Sequence, residues 1–177
     1  MKSFNLTRNV AAQLPKVVAT LILAFGEGLP MASAVGARPT AEPLGPCSRR
    51  TPLVISEVMH QPAARADGRN LEFVEIYNSQ PWFADLSGFR LAGDVQFIFP
   101  EGTRLAANAF LVVARTPADV QAVYRVSNAV GPYSGGLVGS SGKLRLEHRS
   151  GAVLLELNLG SQPPWPVAAA GAGHSLV

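Results

Sequence analysis

Three glutamates stand close enough along the chain to suggest acid/base chemistry: Glu57 in LVISEVM, and Glu72 and Glu75 in LEFVEIYN. Two carboxylates across an aqueous cleft, one protonated and one ionised, are the equipment of general acid/base and glycosidic catalysis. The spacing places no histidine or lysine with them. They are therefore read as acceptors for neighbouring loop amides that lock a sheet corner, with hydrolysis as the alternative. Asp67, Asn70 and Glu72 offer oxygens to calcium but lack the alternating carboxylates of an EF-hand, and read as a solvated hairpin loop. The string GSSGK at 139–143 imitates a phosphate loop, yet Leu137 and Leu144 occupy positions where that motif needs glycine and Ser or Thr. His148 alternates with Leu144 and Leu146 and has no partner histidine, so it reads as a rim residue. The residues thus offer no catalytic centre, cofactor site or metal site.

The aromatic residues invite a different chemistry. Trp82 and Phe83 follow Pro81, and Trp82 is expected as a buried wedge at a corner, with sugar stacking as the alternative. Asp85 next to them reads as a turn-former. Trp165, between Pro164 and Pro166, is expected to pack over one end of the domain.

These residues need elements to hold them. Leu71 to Leu91 reads as strand, tight corner and strand, LEFVEIYN and LSGFRL being dense in β-favouring residues and bracketed by Gly68, Asn70, Asn78 and Gly88. Further strands are expected at Leu53–Met59, Val95–Phe99, Phe110–Ala114, Lys143–His148 and Ala152–Leu159, with a last one beginning at Ser175. A period of two puts Glu57 on the same face as Leu53 and Ile55. In the second strand the period places Glu72 with Val74 and Ile76, and Glu75 with Phe73 and Tyr77, so at least one of these acids is expected near the core. Thr116, Pro117 and Asp119 read as cap, first turn and acidic N-terminus of one short helix ending near Tyr124. Residues 60–70 and 126–142 read as loops. Short strands with turns about every ten residues are the pattern of an antiparallel sandwich.

Composition agrees and sets the domain limits. With 177 residues, 47% of them apolar, the chain has material for one ordinary domain, and its 17 Gly and 14 Pro argue against a helical bundle. Lys2, Arg8 and Lys16 precede the apolar run Val17 to Phe25 and then Ala32, Ser33, Ala34, the order of a secretory signal peptide over residues 1–34. The run is too short to span a bilayer, which takes about 20 apolar residues. Cleavage after Ala34 leaves 12 basic and 11 acidic residues of the original 15 and 12, which gives no electrostatic footprint for nucleic acid or anionic lipid. Residues 35–52, proline-rich and without apolar periodicity, read as a linker, and residues 53–177 as the domain. Cys47 is the only cysteine, so no internal disulfide staples the fold. Pro46 before it is the wrong shape for a lipoprotein cleavage site.

The order VISEVMHQP, DGRNLEFVEIYN, DLSGFRLAG, FIFPEGTRLAANAFLVVA, GKLRLEHRSGAVL and PPWPVAAAGAGHSLV resembles the lamin tail domain as it occurs in secreted bacterial proteins. The similarity runs from about Leu53 to Val177. Glu57, Glu72, Phe73 and Glu75 match the family's strand-one acid and EFxE-like segment. Leu86, Ser87, Gly88 and Phe89 match its leucine-serine-glycine-aromatic corner, where tryptophan is more usual, and Pro164, Trp165 and Pro166 match its PWP-like segment. Alanine replaces the acid often found before the last glycines, which removes any ion or turn role there. The resemblance implies an immunoglobulin-like β-sandwich with no shared catalytic residue, often attached to larger exported proteins. The expected job is an exported, non-catalytic structural or interaction module acting outside the cytoplasm or at the cell surface. Its partner would be a protein or a component of the cell envelope. The alternative is a carbohydrate-binding appendage of an extracellular enzyme, with polysaccharide as partner and Trp82, Phe83, Tyr133 or Trp165 as stacking surfaces.

Overall fold

The computed structural model describes residues 44–137, 141–162 and 165–177. The expected signal peptide, the first part of the expected linker, and Pro163 and Pro164 lie outside the described residues.

Two sheets face each other across one apolar core. The first has the order β1-β2-β7-β8, built from β1 (Leu53–Met59), β2 (Phe73–Asn78), β7 (Phe110–Ala114) and β8 (Ala129–Val130). The second has the order β11-β10-β4-β5-β9, built from β4 (Arg90–Gly93), β5 (Val95–Ile98), β9 (Ser134–Gly135), β10 (Ser141–Glu147) and β11 (Val153–Gly160). A two-residue pair, β3 (Ala84–Asp85) with β6 (Arg104–Leu105), closes one corner. The helix α1 (Pro117–Tyr124) is the only α-helix among the described residues. Every pairing is antiparallel except β7 with β8. The architecture is the expected all-β, immunoglobulin-like sandwich with one short helix.

Period-two burial explains most of the core. Val74 and Ile76 of β2 and Leu111 and Val113 of β7 meet Leu91, Val95, Leu144, Leu146, Leu155 and Leu157 of the second sheet. Leu144 lies opposite Leu157 and Leu146 opposite Leu155. The continuous apolar run of β7 has a second cause: Val112 and Ala114 face the other way, into a satellite cluster with Met59, Leu71, Phe73 and Val120 beneath α1. A strand covered on both faces has no use for polar residues.

In four places the chain departs from the sequence expectation. A bulge between Ile55 and Glu57 breaks the two-residue period of β1. Leu53 and Ile55 stay in the core, Val58 takes up the inward position after the bulge, and Glu57 turns to the outer face. The strand expected from Leu86 starts only at Arg90. Leu86 to Phe89 is a turn, with the Phe89 N–H donating to the Leu86 carbonyl at 3.0 Å and Gly88 at φ +71°, a conformation that favours glycine. Thr116 makes no side-chain cap; its carbonyl accepts the Asp119 and Val120 N–H groups instead. The expected loop 126–142 contains β8 and β9 and carries Tyr133 and Leu137 into the core.

The segment expected as the end of a linker is bonded to both sheets. The Pro46 carbonyl accepts the Ile55 N–H of β1 at 2.8 Å, and the Gly45 carbonyl accepts the Glu156 N–H of β11 at 3.3 Å. Ser48 Oγ and Arg50 Nη1 donate to the Leu154 and Val153 carbonyls at 2.7 and 2.9 Å. Residues 45–50 thus strap the edge of one sheet to the edge of the other. Further along β1, Val58 and Leu176 exchange two backbone hydrogen bonds of 2.9 Å. Edge strands with unpaired amides invite foreign strands, and both edges on this side are occupied in part from within.

Candidate functional site

The three glutamates are not gathered into one cleft. Glu72, 1% exposed, sits at the end of the core beside β2. Its Oε1 accepts the Tyr133 hydroxyl at 2.8 Å and the Leu137 N–H, and its Oε2 lies 3.5 Å from Arg115 Nη1. The backbone is tied in as well: the Glu72 N–H donates to Asn70 Oδ1, the Arg115 N–H donates to the Glu72 carbonyl, and the Asn70 N–H donates to Asp119 Oδ2. One buried carboxylate therefore joins β2, the residue after β7, and the crossing segment that holds Tyr133 and Leu137. A buried carboxylate without such donors would cost several kcal/mol in lost hydration. Burial, then the Glu72 charge and hydrogen bond, push the Tyr133 phenol well above its ordinary pKa.

His60 adds a second buried polar group in the same region. It follows Val58 inward, is 1% exposed, and neither ring nitrogen has a hydrogen-bond partner among the described residues. Burial holds its pKa below the ordinary value, opposed by the charge of Glu72. A neutral imidazole without partners in a closed interior lacks access to a substrate.

Glu57 and Glu75 lie on the opposite side of this sheet, directly across from each other in the β1–β2 register. Glu75 Oε1 accepts the Ser56 hydroxyl at 2.7 Å. Both line a small groove with Phe73, Val112, Val120, Tyr124 and Val126. No histidine takes part in that groove.

The aromatic expectation is corrected. Trp82 is 62% and Phe83 52% exposed, so Trp82 is no buried wedge. The reason is Asn78, wholly buried, whose Nδ2 donates to the carbonyls of Trp82 at 2.8 Å, Ala106 at 2.9 Å and Leu105 at 3.2 Å, while Oδ1 accepts the Gln80 N–H. This polar pin fastens the corner by its backbone, and Ala84, Leu86 and Leu105 fill the core there. The Arg104 guanidinium lies 4.7 Å from the Phe83 ring centroid. Asp85 Oδ1 accepts the N–H and hydroxyl of Ser87, whose Oγ in turn accepts the Gly102 N–H at 2.9 Å. That hydroxyl, followed by the Ser87 N–H, holds the Asp85 carboxyl below the ordinary carboxylate range.

The other singled-out residues have local partners. Trp165 is half-buried against Gly160, so closely that a Cβ on that glycine would lie 2.4 Å from the indole. His148 Nδ1 meets Ser150 Oγ at 2.8 Å, and its ring meets Phe89 edge to face. Asp67 pairs with Arg65 at 2.7 Å. Cys47 is a free, exposed thiol in the strap.

Asn78, His60 and Tyr133 were not foreseen in these roles. Tyr133 and Leu137 did leave a trace, as large residues alone in the glycine-rich stretch GPYSGGL. Asn78, read as turn chemistry, left none that separates a pin from a solvated asparagine.

A family model described as Lamin Tail Domain matches residues 47–156, more than half of the chain. It begins at Cys47, inside the strap, and stops within β11. No curated protein matches the sequence.

Proposed function

The chain belongs to the lamin tail domain family, and from that premise we propose that it is an exported structural or interaction module, part of a larger secreted or surface protein. The family's domain is a non-catalytic structural or interaction module. One observation carries the interaction reading. The one buried carboxylate among the three candidates is consumed by internal donors, and the other two have no histidine, lysine or arginine at ion-pair distance among the described residues. Binding through surfaces, not turnover in a cleft, is what such a scaffold supports. Export rests on Lys2, Arg8, Lys16, the run Val17 to Phe25 and the Ala32-Ser33-Ala34 triplet. Among the described residues no helix is long and apolar enough to cross a membrane.

The test has two arms. Secretion of the full chain from a bacterial host, followed by N-terminal sequencing, should yield a product starting at Val35; an intact Met1 in the cytoplasm would end the export reading. Glu57→Gln and Glu75→Gln variants should stay folded and lose no hydrolytic activity on a polysaccharide panel; an activity that vanishes in a folded variant would make the protein an enzyme.

A second reading, a carbohydrate-binding appendage, is favoured by the exposure of Trp82 and Phe83. Retention on an insoluble polysaccharide that disappears in Trp82→Ala supports it.

A further inference from the structure

The outer face of the first sheet carries a groove of about 210 Å³ beside α1, lined by Phe73, Val112, Val120 and Val126 together with Tyr124, Glu57 and Glu75. That is smaller than a usual small-molecule pocket, which starts at roughly 300 Å³. It is the scale of one long side chain. The placement of its two acids has a structural cost. The bulge in β1 takes Glu57 off the core face and sets it directly opposite Glu75. Like charges facing each other across a strand pair destabilise a sheet. Ser56 donates to Glu75, but among the described residues no Lys, Arg or His comes within ion-pair distance of either carboxylate. Burial, then the Glu57 charge, raises the pKa of Tyr124, whose ring lies edge-on to Phe73 at 5.9 Å, and Arg65 opposes them. The result is an apolar trough with uncompensated negative charge.

We propose that this groove docks an arginine side chain presented by a partner protein. The aliphatic stem of an arginine covers Phe73, Val112 and Val120, as long cationic side chains do on apolar surface. Its planar fork reaches two carboxylates on neighbouring strands at once, where a lysine ammonium offers a single point of charge. The Tyr124 ring adds a cation–π face. An uncharged or anionic occupant would bury both glutamates without a counter-charge, which is strongly unfavourable. The proposal rests on the interaction-module reading and gives that module's partner a chemistry.

Amide NMR spectra of the domain, titrated with acetyl-Val-Arg-Val-amide and with the same peptide carrying citrulline for arginine, test it. The arginine peptide should shift the amides of Phe73, Glu75, Val112, Tyr124 and Val126, with a Kd on the order of 1 mM. The neutral citrulline peptide should bind at least about tenfold more weakly, since it lacks the charge-assisted bonds. Glu57→Gln with Glu75→Gln should weaken the arginine peptide by a similar factor while the unfolding midpoint stays level or rises, because a like-charge pair is relieved. Equal response to both peptides, shifts scattered over other surfaces, or no response at ten times that concentration would overturn the proposal. If the groove ignores both peptides while the domain still binds a protein through another surface, the groove falls and the interaction-module reading stands.

Discussion

Removing the phenol oxygen of Tyr133 is the sharpest probe of how this sandwich is held at the Glu72 end. The hydroxyl donates to a buried carboxylate oxygen at 2.8 Å, and the remaining support is the Leu137 N–H and an arginine nitrogen at the longer distance of 3.5 Å. A hydrogen bond to a charged group contributes about 1.5–3 kcal/mol, so Tyr133→Phe should cost about 2 kcal/mol. Glu72→Ala should cost more, about 3–5 kcal/mol, because it strands two buried donors and opens a gap. In the Glu72→Ala background the phenylalanine change should cost less than about 1 kcal/mol, a coupling characteristic of direct partners. Urea unfolding with a constant slope measures each corner of the cycle, and at this domain size each kcal/mol corresponds to roughly 3–5 °C in Tm. Alkali supplies an independent arm. The Tyr133 pKa is raised in the fold, so above about pH 10 the unfolded chain loses this proton while the folded chain keeps it, and stability falls as pH rises. Tyr133→Phe should remove that loss. Additive effects, or a Tyr133→Phe variant within about 0.5 kcal/mol of the parent, would refute the pin.

Other outcomes follow from the same geometry. His60 has a folded pKa below its unfolded value, so stability is level above about pH 6.5 and falls below it as only the unfolded chain takes up the proton. The slope approaches about 1.4 kcal/mol per pH unit, and the difference curve against His60→Leu isolates it from the carboxylates. Asn78→Ala leaves three corner carbonyls without their donor and should cost about 3 kcal/mol in urea unfolding. Gly93→Ala puts a Cβ 2.2 Å from the Lys143 carbonyl at φ +104°, and the shift this forces should lower stability by about 2–3 kcal/mol. Trp82→Ala, at an exposed ring, should leave Tm within about 2 °C of the parent.

The long strands, the helix and the family were legible because they depend on side-chain period and turn chemistry close together in the chain. Phe110–Ala114 and Leu53–Met59 have the expected limits, and α1 starts at Pro117 as its proline requires. What escaped depends on contacts between distant residues. The two-residue strands β3, β6, β8 and β9 are too short to carry a period, and their existence is decided by partners up to 40 residues away, as with Val95 and Gly135. Trp82 was expected inside because tryptophan is large and apolar. Yet the corner is closed by one asparagine bonding to three carbonyls, a solution that composition does not reveal.

The bulge at Ser56 connects both kinds of residue. Counting by twos from Leu53 sends Glu57 into the core, where a lone carboxylate would face Val74 and Ile76. One inserted residue reverses the count, lets Val58 and His60 continue inward, and turns Glu57 out beside Glu75. The same shift thus creates the two charge environments of this sheet. Inside, Glu72 is the only buried acid among the described residues and accepts from Tyr133, Leu137 and Arg115; outside, Glu57 and Glu75 face each other with no cation at ion-pair distance among the described residues. Deleting Ser56 tests this count: without the extra residue Ile55, Glu57 and Val58 alternate in, out and in, so Glu57 should stay opposite Glu75, and the cost should not exceed about 2 kcal/mol for the lost Ser56–Glu75 hydrogen bond in urea unfolding. A deletion variant that loses several kcal/mol, or whose Glu57 no longer lies across from Glu75, would mean that Ser56 is not the inserted residue and that the count from Leu53 fails elsewhere.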